Sequence, residues 1–198
     1  MSQSSLRVLP VIRLTVVLVS LVLGACAGNP PGGRTAIDPA SVRVSGGVSR
    51  DFERSLEYLR GERYEEAIGI LEPLVQRESR LPAPYVNLGI AYYRVGDEKS
   101  AEEAFVKALA VRAGHAAASN ELGALYRRQG RFEEARTIYQ SGLQVNPDYP
   151  VLVRNLGILC DLYLQDLSCA LAQFQHYRNL KPDAPEIKIW LAELERRM

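Results

Sequence analysis

Histidines and paired carboxylates are the side chains of this chain that could serve in catalysis or metal binding, and their placement indicates neither. The two histidines, His115 and His176, have no partner at metal-ligand spacing. Glutamate pairs such as Glu65-Glu66 and Glu133-Glu134 recur at corresponding places, which is typical of solvent-facing helix surfaces. The sequence contains no phosphate-binding loop and no nucleophile elbow. We therefore expect no enzymatic activity, no metal or cofactor, and no small-molecule substrate.

Cys26 stands at the end of a short apolar run near the N-terminus. Residues 1–13 contain two cations and no acid, and residues 14–23 are predominantly apolar. A bilayer-spanning helix needs roughly 20 apolar residues, so this run is typical of a signal-peptide core. The sequence Leu23-Gly24-Ala25-Cys26 resembles the lipobox of bacterial lipoproteins. That resemblance implies cleavage before Cys26 and lipidation of its thiol. Ordinary signal cleavage at the small-x-small pattern of residues 25–27 is the alternative.

The N-terminal quarter is predicted to direct the protein to a membrane and to tether it there. Residues 1–25 are the predicted signal peptide, and residues 26–48 are the lipidated cysteine and a flexible tether rich in Pro, Gly and Ser. The acyl chains on Cys26 would hold the protein on a membrane. Ala27 follows the cysteine where an Asp would be the usual inner-membrane retention signal in enteric-type bacteria. We therefore expect the periplasmic face of the outer membrane.

The charge balance argues against nucleic acid as a partner. The whole chain has a formal net charge of +1. Without the first 25 residues, which contain Arg7 and Arg13 and no acid, 22 basic residues oppose 23 acidic ones. A nearly neutral body supplies no electrostatic attraction for phosphate backbones.

The body of the chain repeats at intervals of 34 residues. The dipeptide Leu-Gly occurs at positions 88–89, 122–123 and 156–157. At nearly constant offsets after each glycine there follow a tyrosine or cysteine, an alanine and an aromatic residue: Tyr92, Tyr126 and Cys160, then Ala101, Ala135 and Ala170, then Phe105, Tyr139 and Phe174. The last interval is 35 at the alanine, which predicts one extra residue in the turn near Gln165-Asp166. Such self-similarity is the signature of a solenoid.

These offsets resemble the tetratricopeptide repeat, a helical hairpin in which glycine and alanine allow a close helix crossing. The resemblance implies an all-α solenoid over residues 49–198, with repeats at about 49–81, 82–115, 116–149 and 150–184 and a capping helix at 185–198. The first repeat is degenerate, because Gly61 lies one residue too early relative to Ala67. Pro73 also falls inside its second helix, where a proline costs about 3 kcal/mol or introduces a kink.

The resemblance also implies where a partner would bind. Tetratricopeptide proteins bind protein segments in the concave groove lined by the first helix of each hairpin, and arginine there pairs with carboxylates. We expect a partner that is extended or helical, partly apolar and somewhat acidic; the alternative is that the arginines are merely solvated. Asn87 and Asn155 precede Leu-Gly, where the family often holds a peptide backbone. The matching positions are Val86, Asn87, Ile90, Tyr93, Arg94, Asn120, Ala124, Arg127, Arg128, Arg154, Asn155 and Ile158, with Glu121 and Asp161 beside them.

Cys160 and Cys169 are placed by the resemblance late in the first helix and early in the second helix of the fourth hairpin. Export would put them in an oxidising compartment, where they could form a disulfide. Alternatively they are two small buried apolar residues.

Two functions fit this architecture. A lipidated cysteine, a tether and a few repeats are similar to the lipoproteins of type IV and Tad pilus biogenesis, which implies a scaffold for assembling an envelope machine such as a pilus or secretion system. The alternative is an adaptor that recruits peptidoglycan hydrolases or proteases.

Overall fold

The computed structural model describes residues 45–198, so the predicted signal peptide, Cys26 and most of the predicted tether lie outside the described residues. Within residues 45–198 the chain forms nine α-helices and no strand. This confirms the predicted all-α solenoid of four hairpins and a capping helix. The helices are α1 Gly46–Arg60, α2 Tyr64–Arg77, α3 Pro82–Arg94, α4 Glu98–Val111, α5 Ala116–Arg128, α6 Phe132–Val145, α7 Pro150–Leu162, α8 Leu167–Leu180 and α9 Pro185–Arg197.

Helix α1 begins at Gly46, three residues before the domain start expected at residue 49. Ser45 supplies the reason, because its side chain accepts a hydrogen bond from the backbone N–H of Val48 at 3.4 Å. A serine at this position satisfies one of the free N–H groups of the first turn. Val48 is buried, so the first turn of α1 already contributes to the core.

The repeated glycines allow an aromatic ring from the second helix of each hairpin to lie against the first helix. A Cβ atom placed on Gly89 would lie 2.5 Å from the ring of Phe105, and one on Gly157 would lie 2.6 Å from Phe174. Gly123 has the same relation to Tyr139, at 2.5 Å. The aromatic residues are almost fully buried, so each of these three contacts lies at the centre of its own hairpin.

The turns inside the hairpins show why the first and fourth repeats depart from the pattern. Gly96 and Gly130 have φ values of 88° and 76°, which a glycine adopts without strain. In the first hairpin Glu62 takes this left-handed conformation, one residue after the early Gly61, and in the fourth hairpin Gln165 takes it. The predicted extra residue therefore lies in the α7–α8 turn, where the N–H of Asp166 bonds to the carbonyl of the residue six positions earlier.

Pro73 lies inside α2 without ending it. The helix continues to Arg77, and the proline ring is exposed. Because proline has no N–H group, the carbonyl of Gly69 lacks its usual partner within the helix.

The capping helix closes the solenoid. Ile187, Leu191 and Leu194 of α9 are buried against the fourth hairpin, and the ring of Trp190 lies 5.2 Å from that of Phe174, measured between centroids. The last apolar face is thus covered, as a solenoid requires.

Candidate protein-binding groove

The first helices of successive hairpins form the inner, concave face. Helix α3 contacts α1 and α5, and α5 contacts α7, whereas successive second helices of residues 45–198 make no comparable contacts. This closer spacing of the first helices curves the solenoid towards them. The residues predicted to line the groove lie on α3, α5 and α7, so the fold brings them to one surface.

The predicted lining residues differ in exposure. Val86 and Ala124 are 5% and 8% exposed, so they form the floor of the groove and present little surface to a partner. Arg94 and Arg128 are exposed at the open side. The remaining members of the predicted set are partly exposed: Asn87, Ile90, Tyr93, Asn120, Arg127, Arg154, Asn155 and Ile158.

Two asparagines connect α5 and α7 across the groove. The Nδ2 atom of Asn155 donates to Oδ1 of Asn120 at 2.7 Å, and Nδ2 of Asn120 donates to Oε1 of Glu121 at 2.8 Å. The resemblance predicts that Asn155 holds a peptide backbone. Its Nδ2 atom instead donates a hydrogen bond to the neighbouring helix α5. Its Oδ1 remains available as an acceptor for a partner's N–H group.

Three groove arginines lie over aromatic rings. The guanidinium carbon of Arg128 lies 4.0 Å from the ring centroid of Tyr93 on the neighbouring helix α3. The corresponding distances are 5.6 Å from Arg127 to Tyr163 and 5.8 Å from Arg94 to Tyr64. Guanidinium groups over rings gain cation–π attraction and lose rotational freedom. The arginines are therefore held at the groove and do not extend freely into solvent.

These arginines have no acidic partner in the described part of the chain. Arg94, Arg127, Arg128 and Arg154 form no ion pair there, and of the two acids beside them Asp161 is paired with Arg197. The outer surface differs, since Arg131 pairs with Glu102 at 2.8 Å and with Glu134 at 2.7 Å. Hydrogen bonds to these two carboxylates raise the pKa of Arg131, which fits a structural ion pair. The groove thus carries positive charge that a partner could neutralise.

Tyr163 borders the groove although the sequence reasoning did not assign it there, whereas Tyr139 packs inside the α5–α6 hairpin with its ring across Gly123. Tyr163, in the α7–α8 turn, holds Arg127, and its ring also lies 4.9 Å from that of Phe132. Tyr139 is fully buried on α6, where burial raises its pKa to about 12 and the charge of the neighbouring Arg127 acts in the opposite direction.

Cys160 and Cys169 are joined by a disulfide in the structure. The S–S distance is 2.04 Å and the Cα–Cα distance is 5.8 Å. The bridge spans the turn that contains the extra residue. Asp166 in this turn pairs with Arg136 of α6 at 3.1 Å, so the bridged turn also contacts the preceding hairpin.

The histidines have structural partners. Nδ1 of His115 accepts a hydrogen bond from the N–H of Ala118 at 3.3 Å and so caps α5. Nε2 of His176 lies 2.9 Å from Oδ1 of Asp148. No group of three potential metal ligands comes together within residues 45–198, and none of the nine helices described there has the length and apolar character needed to cross a bilayer.

Comparison with known proteins agrees with the repeat architecture. Residues 86–150 match the tetratricopeptide repeat family. A segment of 62 residues is 45% identical to the human protein O-mannosyl-transferase TMTC1, and 97 residues are 27% identical to a probable UDP-N-acetylglucosamine–peptide N-acetylglucosaminyltransferase SPINDLY of Solanum lycopersicum. These segments cover 31% and 49% of this chain but only 7% and 10% of the two relatives. The chain thus spans a small part of each relative.

Solved structures extend the agreement to most of the described fold. PilF of Pseudomonas aeruginosa superposes with a TM-score of 0.68 at 22% identity, covering 76% of this chain and 68% of PilF. MamA of Desulfovibrio magneticus, from residue 41 to its end, superposes with a TM-score of 0.66 at 23% identity, covering 78% of this chain and 87% of MamA. The 34-residue repeat, the hairpin geometry and these likenesses show that residues 45–198 form a solenoid of tetratricopeptide-type hairpins, similar in fold to PilF.

Proposed function

We propose that this chain is a lipid-anchored scaffold on the periplasmic face of the outer membrane that binds a protein partner in its concave groove. The observation that carries the proposal is the row of groove arginines that lie over tyrosine rings and form no ion pair within residues 45–198. Holding unpaired positive charge on a preformed surface favours an acidic partner segment and lowers the entropic cost of binding it. The partly exposed Ile90 and Ile158 supply apolar contact area beside the arginines.

The partner we propose is a component of an envelope machine such as a type IV or Tad pilus or a secretion system. The likeness of fold to PilF supports this choice, as does the resemblance of residues 23–26 to a lipobox. We further propose that the protein positions other proteins and has no enzymatic activity of its own. Recruitment of wall hydrolases or proteases is the other outcome that the test below can reveal.

Affinity capture from cross-linked membranes tests the groove. The bait is the full chain, beside a variant in which Arg94, Arg127, Arg128 and Arg154 are replaced by alanine. We expect the wild type to retain a pilus or secretion component and the variant to lose it. A hydrolase lost in the same way would assign the adaptor role.

A matched variant controls for the change in net charge. Lys99, Lys107, Arg178 and Lys181 are exposed residues on or next to the second helices α4 and α8, and their replacement by alanine removes the same charge outside the groove. This variant should retain the partner. Equal capture by all three proteins would contradict a binding role for the groove, and circular dichroism at 222 nm verifies that each variant is folded.

A separate experiment tests the anchor. Replacing Cys26 by serine should release the protein from the membrane fraction, because the acyl chains can no longer be attached. Mass spectrometry of the N-terminal peptide of the wild type should show a lipidated cysteine. An N-terminal peptide that begins after ordinary cleavage, without lipid, would refute the anchoring.

A further inference from the structure

A cleft between the second helices α2 and α4 is separate from the concave groove. It lies over α3, and its volume is about 430 Å³. Sites that enclose a drug-sized group have volumes of roughly 300–1,000 Å³, so the cleft can take one long side chain of a partner. Its floor is apolar and includes the buried Val75, Leu88 and Ala104. None of its lining residues belongs to the set predicted to line the groove.

The rim of the cleft carries more negative than positive charge. Glu72 of α2 and Glu103 of α4 are exposed there, and neither forms an ion pair in the described part of the chain. Lys107 is the one cation among the lining residues. Tyr92 of α3 also lines the cleft, and its hydroxyl donates to Glu72. Burial and this hydrogen bond, followed by the charges of two further acids, raise the pKa of Tyr92 to about 12, so its surroundings favour a cation.

The next hairpin shows what such surroundings hold. Tyr126 follows Tyr92 after 34 residues, and its hydroxyl also donates to a glutamate of the preceding second helix, Glu102, at 3.0 Å. The guanidinium carbon of Arg131 lies 3.8 Å from the ring centroid of Tyr126, and its Nη1 atom pairs with Glu102 at 2.8 Å. A tyrosine ring and a glutamate from the neighbouring hairpin thus hold a guanidinium group in this protein.

The α3–α4 hairpin lacks this cation. Asp97 stands at the position that corresponds to Arg131, and its carboxylate accepts from the N–H of Ser100 at 3.0 Å and caps α4. No arginine or lysine of residues 45–198 makes the corresponding contact with the ring of Tyr92. The ring and the carboxylates are therefore in place beside an open cleft, without the guanidinium that the next hairpin supplies.

We propose that this cleft binds an arginine side chain of a second protein partner. The guanidinium lies over the ring of Tyr92 and pairs with Glu72 on one side and with Glu103 on the other. The methylene groups of the arginine contact Pro73 and the apolar floor. This contact gives a reason for a proline inside α2, where it weakens the helix.

This inference goes beyond the proposed function. The groove is cationic and is proposed to bind an acidic segment, whereas the cleft is anionic at its rim and binds a basic one. The opposite charges keep the two segments from exchanging places. A scaffold with both surfaces can bring two different proteins together.

A selection from displayed random 15-residue peptides, with the full chain in detergent as the target, tests the cleft. The comparison protein carries Glu72→Gln and Glu103→Gln, which remove both charges and leave an amide oxygen that can accept from the Tyr92 hydroxyl. We expect the peptides that bind wild type and fail to bind this double variant to share an arginine. Changing that arginine to glutamine should weaken binding to wild type by about 10- to 100-fold. Cleft-binding peptides without a common arginine, or no cleft-binding peptide, would overturn the proposal.

Further variants assign the arginine to the ring and the rim. Tyr92→Leu removes the ring and should weaken binding of these peptides about 3- to 10-fold, whereas Tyr92→Phe keeps the ring and should bind them as wild type does. A residue without a ring is accommodated at this position, since Cys160 occupies it in the fourth hairpin. Lys107→Gln removes a like charge from the rim and should strengthen binding about 2- to 5-fold.

A matched control carries Glu65→Gln and Glu195→Gln, two exposed helix residues outside the cleft, and should bind the peptides as wild type does. Circular dichroism at 222 nm verifies that each variant is folded. If the arginine peptides bind Tyr92→Leu as tightly as wild type, or if the matched control loses them, the cleft assignment is wrong.

The variant with four groove arginines replaced separates this inference from the proposed function. It should retain the arginine peptides, because the groove takes no part in binding them. Loss of the peptides in that variant would place them in the groove and refute the cleft. Capture of the natural groove partner is a separate measurement, and its success or failure does not depend on these peptides.

Discussion

Replacing Gly123 by alanine tests whether the close approach of α5 and α6 depends on the missing side chain. An added Cβ would lie 2.5 Å, 2.7 Å and 2.8 Å from three carbon atoms of the Tyr139 ring. Such distances are far inside van der Waals contact, and the ring is fully buried among other side chains. The ring or one of the helices must therefore move.

The magnitude follows from two opposing terms. Overpacking a core costs about 1–3 kcal/mol, and three close contacts with a buried ring place Gly123→Ala near the upper end of that range. Alanine gains about 1 kcal/mol over glycine in a helix interior. The expected net loss is about 2 kcal/mol of unfolding free energy, which for a domain of this size lowers Tm by about 4–8 °C.

Gly69→Ala is the matched control. Gly69 lies in α2, is exposed, and has no atom within 4 Å of an added Cβ. The same substitution there should raise the stability by about 0.5–1 kcal/mol, because the helix-propensity gain is unopposed. The two substitutions are chemically identical, yet they should change the unfolding free energy in opposite directions.

Urea unfolding followed by circular dichroism at 222 nm measures both variants. A third protein, with Gly123→Ala in a Tyr139→Leu background, tests the cause, since the shorter side chain leaves room for the methyl group. The alanine should then cost less than it does opposite tyrosine. If Gly123→Ala is as stable as wild type, or costs the same in both backgrounds, the steric explanation is refuted.

Three further predictions concern the disulfide, a helix cap and a helix proline. Replacing Cys160 and Cys169 together by serine should lower the unfolding free energy by about 2–3 kcal/mol, and a reducing agent should destabilise wild type but leave this variant unchanged. His115 caps α5 in its neutral form, and burial, followed by the charge of Arg112, lowers its pKa. Its contribution is therefore complete above about pH 6.5 and is lost as pH falls through the lowered pKa. His115→Asn keeps a cap and should make the urea-derived unfolding free energy less dependent on pH just below about pH 6.5. An unchanged slope would contradict this role. Pro73→Ala should raise the unfolding free energy by about 1–3 kcal/mol, because the restored N–H can donate to the carbonyl of Gly69. The midpoint of thermal unfolding should rise accordingly, and no rise would mean that the proline is accommodated without cost.

The repeat pattern of the sequence determined most of the fold. The 34-residue interval between the Leu-Gly pairs placed the helices, the glycine–aromatic contacts and the extra residue of the α7–α8 turn. These features are predictable because each hairpin buries the same kind of face against its neighbours, so the same offsets recur. The start of α1 was not predicted, because Ser45-Gly46-Gly47 has a turn-like composition and its helical turn depends on burial of Val48.

The chemistry of the groove was decided by tertiary structure. The sequence identified the helix face on which Val86, Arg127 and Arg128 lie, because side-chain direction repeats along a helix. It did not show that Val86 is buried, that Arg128 lies over Tyr93, or that Tyr163 lies beside Arg127. These contacts join different helices, and their distances depend on the rotation and offset between successive hairpins. That geometry comes from the packing of whole side-chain surfaces, which a residue pattern along one helix does not encode.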